Sequence, residues 1–191
     1  MNSYKKLKEF VFDGMLLQDN LKLLAKEGIN IFRDDEEFIT RVVESDISPK
    51  IWYKSQKMAS IYVALYCAEN LLRDFIIDRL VERKGLDWWN ECVPNKVKSD
   101  VEKLKKKEEL NKYYSNRSDA LIGYTMLGNL TQIIINNWDD FSDIIPSQAW
   151  IQSRMDDLEM SRNIIMHTGE LPEIEMARIE SIVRDLITQL G

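Results

Sequence analysis

The sequence predicts a single all-α bundle, and three observations carry that expectation. Only 7 glycines and 4 prolines stand in 191 residues, too few for the turns of a many-stranded β-protein. Apolar residues recur at steps of three and four along most of the chain, and no stretch alternates for long enough to read as a strand. Hydrophobic residues at 45% and charged residues at 30% make a globular mixture, in a length that fits one domain with a real core.

The elements follow in order. Residues 4–26 carry Leu7, Phe10, Val11, Leu17, Leu21 and Leu24 at helical spacing, and Gly28 ends the run. A shorter helix is expected over 35–45, with Phe38, Ile39, Val42 and Val43 on one side. Ser48-Pro49 breaks the chain there. Residues 1–49 thus read as additional N-terminal helices packed on a bundle of residues 50–191. The longest helix is expected from Lys50 to Lys84, on a stripe of Ile61, Leu65, Ala68, Leu72 and Phe75, with Gly85 as its stop. Trp88-Trp89 opens a short segment that ends near Pro94.

Residues 96–117 differ in charge. Eight Lys or Arg side chains face four Asp or Glu, a local excess of four positive charges in a chain of net charge −6. Val97, Val101 and Leu104 give this segment one apolar edge, so an exposed helix is expected, with a polar end at Ser115-Asn116. One further helix is expected over 120–141 on Leu127, Leu130, Ile134, Trp138 and Phe141. Another spans 148–168 on Ile151, Met155, Leu158 and Ile165, capped by Gly169. The last starts at Pro172, with Glu173 and Glu175 near its positive end and a stripe of Met176, Ile179, Val183, Leu186 and Leu190.

Composition removes several function classes. The acidic balance speaks against coating nucleic acid by bulk charge. One histidine per chain excludes sites that need several from one copy. Cys67 and Cys92 lack metal-ligand spacing and read as two reduced, buried thiols. Asp139-Asp140 and Asp156-Asp157 are adjacent on their helices and do not converge on a metal. No metal and no cofactor is expected. The apolar run Ile61 to Ala68 is far too short to span a membrane, and Asp13 and Asp19 spoil a leader, so a cytoplasmic protein is expected.

One stretch concentrates chemistry: Ser161-Arg162-Asn163-Ile164-Ile165-Met166-His167. The stripe of Ile151, Met155, Leu158 and Ile165 skips one step, which position 162 fills, so Arg162 takes a core-facing place. An arginine there needs a partner or a cleft. His167 stands at the C-terminal end, where the helix dipole favours imidazolium. Asn163 and His167 share a face, whereas Arg162 and His167 lie about 140° apart around an ideal helix and so flank a groove. Two structural readings stand beside the catalytic one: His167 as a cap, and Arg162 as partner of a buried carboxylate such as Glu69.

R-N-I-I-M-H, ending a penultimate helix, resembles the R-x-x-x-x-H signature of the HEPN superfamily of small helical bundles. The stretches D-W-W, G-Y-T-M-L-G-N-L and N-N-W-D-D-F look like one branch of it, associated with RNA-processing and abortive-infection proteins. The resemblance covers residues 50–190. It implies a metal-independent endoribonuclease in a defence, toxin or RNA-turnover role. His167 would take the proton of a ribose 2′-hydroxyl, Arg162 would hold the phosphate, and Asn163 would orient His167 or bind a phosphate oxygen.

HEPN domains commonly pair with their motifs face to face, so a homodimer is expected, supplying a second His167. Glu69 matches a position where the family often has a polar residue, and is expected either to support Arg162 or to stand solvated. Lys103, Lys105, Lys106 and Lys107 are candidate RNA contacts, against a plain solvated helix face. Some HEPN toxins carry a tyrosine two residues after the histidine, the target of a modifying antitoxin. Gly169 stands there instead, which puts that route of control in doubt. An antitoxin or larger defence protein is an implied partner. The other reading is a non-catalytic module of the same fold that binds RNA or protein.

Overall fold

The computed structural model describes residues 47–190 except 112 and 114. The helices expected over 4–26 and 35–45 lie outside the described residues. The chain divides into two compact units, Met1–Tyr53 and Lys54–Gly191. The second carries nearly all that follows.

Every regular element among the described residues is helical. Helix α1 spans Pro49–Lys84 and matches the expected 50–84 within one residue. Its buried stripe runs through Leu65, Ala68, Leu72, Ile76 and Leu80. Ile76 and Leu80 carry the stripe past Leu72, where Phe75 was expected; Phe75 packs at the flank against Phe141. Gly85 at φ 84° supplies the left-handed stop. Short α2 is Trp88–Cys92.

Helix α3, Asn95–Glu109, buries Val97 and Val101 and ends well before residue 117. Arg117 folds back instead, donating from Nε to Glu108 Oε1 at 2.6 Å and stacking over the Tyr124 ring at 5.7 Å. The helix expected over 120–141 is three pieces: a 3-10 turn Leu121–Tyr124, α4 Leu127–Asn136 and α5 Trp138–Phe141. Polar side chains take the backbone groups at each break. Thr125 Oγ1 donates to the Ile122 carbonyl at 2.6 Å, and Asn129 Oδ1 accepts from the Met126 amide at 3.0 Å. Asn137 Nδ2 donates to the carbonyls of Cys92 and Ile133. Such bonds offer the chain an alternative to helix continuation.

Helix α6, Gln148–Met166, starts on Ser147, whose Oγ accepts from the Trp150 amide at 3.0 Å. Helix α7, Glu173–Leu190, follows Pro172, whose carbonyl accepts from the Met176 amide at 3.1 Å. The core is where α4 meets α6, α7 lies along α6, and α1 contributes its stripe. Leu130, Ile133, Ile134, Ile151, Met155, Leu158 and Leu186 are all sealed from solvent.

The two cysteines are free, but only Cys92 is buried. The stripe through Leu65, Ala68 and Leu72 turns position 67 outward. Burial pushes the Cys92 thiol above its ordinary pKa, with Lys84 opposing. No helix among the described residues is long and apolar enough to cross a membrane.

Candidate functional site

The site is built at the C-terminal end of α6. Ser161 is the residue buried there, and Arg162 beside it emerges at the edge of the core with its side chain 26% exposed. It faces α1: Arg162 Nε lies 3.8 Å from Glu69 Oε2. The other Glu69 oxygen takes Arg73 Nη2. Arg73 also donates to the Thr125 carbonyl at 2.9 Å and to Asn70 Oδ1 at 3.1 Å. Glu69, with its side chain only 11% exposed, is therefore a shared counter-ion and not a solvated flank residue. Glu69 and Arg73 meet because residues four apart on a helix are neighbours.

A polar cavity of about 420 Å³ opens on this cluster. Arg73, Arg117 and Arg162 line it against Glu69 and Glu108, so positive charge exceeds negative. Arg117 is paired with Glu108, and Arg73 with Glu69 and backbone, its buried Nε alone lacking a partner among the described residues. Among the described residues, Arg162 has no hydrogen-bond acceptor closer than its long contact to Glu69. Its planar fork remains available to an anion in the cavity.

His167 is the C-cap of α6 and is exposed. The turn that presents it is a Schellman closure: the Gly169 amide donates to the Ile164 carbonyl at 2.8 Å and the Thr168 amide to the Ile165 carbonyl at 3.0 Å. Thr168, not Gly169, takes the left-handed conformation, at φ 61°. A β-branched residue there is strained. Gly169 serves a different need, since a Cβ at this position would stand 2.5 Å from Ile164 Cγ2 and 2.8 Å from its carbonyl oxygen.

The structure thus brings Arg162 and Glu69 together and sets His167 one turn beyond, outside the residues that wall the cavity. The Asn163 side chain is exposed, and the Asn163 backbone carbonyl accepts from the His167 amide at 3.1 Å. The four lysines divide. Lys103 and Lys107 line a separate cavity of about 490 Å³ with Lys96, Asn129, Gln132 and Glu159. Lys105 and Lys106 turn elsewhere and face Glu109 and Glu102 at 3.9 and 3.5 Å. Sequence reasoning missed Arg73, Arg117 and the tyrosines Tyr62 and Tyr66 that border the first cavity. The four-residue spacing of Glu69 and Arg73 was the available signal.

The family model described as Swt1-like HEPN matches residues 63–191, more than half of the chain and the part that contains Glu69, Arg162, Asn163 and His167. No curated protein and no solved structure matches.

Proposed function

Because the chain belongs to the Swt1-like HEPN family, we propose that it is a metal-independent endoribonuclease acting in defence, toxicity or RNA turnover. The observation that carries this reading is Arg162, an arginine with unspent donors at a polar cavity, on the helix end that offers an exposed imidazole.

In this reading the Arg162 guanidinium seats two oxygens of the scissile phosphate and stabilises the charge that builds on them. The His167 imidazole takes the proton from the ribose 2′-hydroxyl. The 2′ oxygen then attacks phosphorus and the bond to the 5′ oxygen breaks, leaving a 2′,3′-cyclic phosphate. The departing 5′ oxygen needs a proton, and the His167 of a second copy supplies it. His167 stands outside the cavity walled by its own chain, which favours a site completed across a two-fold dimer. Met160, Ile164 and Met166 leave apolar surface exposed at that helix end, suited to such a contact. Asn163, exposed beside them, is a further donor for phosphate or for the partner's imidazole.

The test is cleavage of an RNA pool by the full chain with and without EDTA, alongside His167→Ala. Activity that survives the chelator and vanishes in the variant supports the reading. A folded dimer that binds RNA and cuts none is a binding module of the same fold.

A further inference from the structure

The cavity at Arg162 is wider than a phosphate requires, and its rim carries groups that cleavage does not use. Tyr62 and Tyr66 stand one helical turn apart on α1, with ring centroids 6.4 Å apart and planes inclined at 42°. Both border the cavity, and they are 42% and 59% exposed. The fold does not need aromatic rings there, because the buried stripe of α1 passes through Leu65, Ala68 and Leu72. Ser118 borders the same cavity, with its hydroxyl accepting from the Ala120 amide at 3.1 Å. Its position depends on Gly123, since a Cβ there would come within 2.2 Å of the Ser118 Cβ.

Rings, guanidinium and small polar groups in one concavity match the parts of a single nucleotide. We propose that Tyr62 and Tyr66 form a base-binding subsite, so that this chain takes single-stranded RNA whose nucleotide beside the scissile phosphate is unpaired and stacked on these rings. The inference rests on the reading of Arg162 as the phosphate ligand. Stacking tolerates every base, because each has a π-face. A base inside a duplex has both faces covered by its neighbours and cannot reach the rings. The subsite therefore selects by strandedness more than by sequence: loops and free strands enter, and duplexes do not.

The experiment measures binding of the full chain to a fluorescent single-stranded 2′-fluoro RNA, which lacks the attacking hydroxyl and cannot be cut. A second probe of the same length is abasic throughout. Wild type, Tyr66→Ala, Tyr62→Ala/Tyr66→Ala and the corresponding phenylalanine variants are compared, with molecular mass measured in parallel.

The double alanine variant is expected to weaken binding about tenfold or more, and the phenylalanine variants to stay near wild type. Removal of the bases weakens wild type by a similar factor and the double alanine variant no further. The subsite is overturned if the alanine variants bind as wild type, if their loss is as large on the abasic probe as on the base-bearing one, or if they change only the mass of the assembly. Failure of the nuclease reading is separate: natural RNA left uncut, with ring-dependent binding intact, removes the catalysis and keeps the subsite.

Discussion

Glu69 on α1 holds two arginines at once, reaching Arg73 with one carboxylate oxygen while the other lies 3.8 Å from Arg162 Nε on α6. Among the described residues, this carboxylate is the ion-pair partner of the Arg162 guanidinium. Glu69→Gln keeps the shape and removes the charge. We expect single-turnover cleavage to slow about 10- to 100-fold through loss of orientation, with the helical circular dichroism spectrum retained. Rates within about twofold of wild type would show that Arg162 is positioned by something else.

The α6 end presents His167 through a strained residue and a crowded one. Gly169→Ala drives a methyl against Ile164 and is expected to cost about 1–3 kcal/mol, slowing cleavage as His167 shifts. Thr168→Gly relieves a left-handed threonine and is expected to stabilise by about 1 kcal/mol. Urea titrations of the two variants should therefore move in opposite directions.

Asp143, just after α5, accepts from Arg79 and Arg83 of α1. The hydrogen bond from Arg79 holds its carboxyl below the ordinary value of 3.8, opposed by partial desolvation. A depressed folded pKa gives stability that is complete above the unfolded value and is lost as pH falls through the folded one. The urea midpoint of the native chain should drop as pH falls below 3.8. Asp143→Asn should start lower and lose less over that interval. Parallel curves for the two would contradict this role.

Leu72 sits fully buried at the middle of the α1 stripe. Leu72→Ala is expected to cost about 2–5 kcal/mol in urea unfolding, from lost burial plus the cavity left behind.

The sequence made the long elements plain and their interruptions obscure. Helix α1 was readable because Leu65, Ala68 and Leu72 repeat over many turns, and α6 because Ile151, Met155 and Leu158 keep helical spacing. The stretch 120–141 misled because Leu127, Leu130 and Ile134 keep helical spacing through it. The breaks at Thr125 and Asn137 depend on single side-chain bonds to backbone, some of them across the fold. Arg162 was expected on the apolar stripe, but Ser161 takes the buried place and Arg162 stands at its edge, where pairing with Glu69 was one of two open readings. The cavity was not legible, since Arg73, Arg117 and Tyr66 come to it from separate stretches, Arg73 reaching the Thr125 carbonyl and Arg117 folding back onto Glu108.

In the proposed reaction the RNA itself supplies the nucleophile, and a single missing 2′-hydroxyl isolates that step. Once a cleavage position is mapped, an otherwise identical RNA carries a single 2′-deoxynucleotide on the 5′ side of that bond. Cutting is expected to stop at that bond alone, and the natural RNA to yield a 2′,3′-cyclic phosphate by mass spectrometry. Undiminished cutting at the deoxy position, or a 5′-phosphate product, would contradict it.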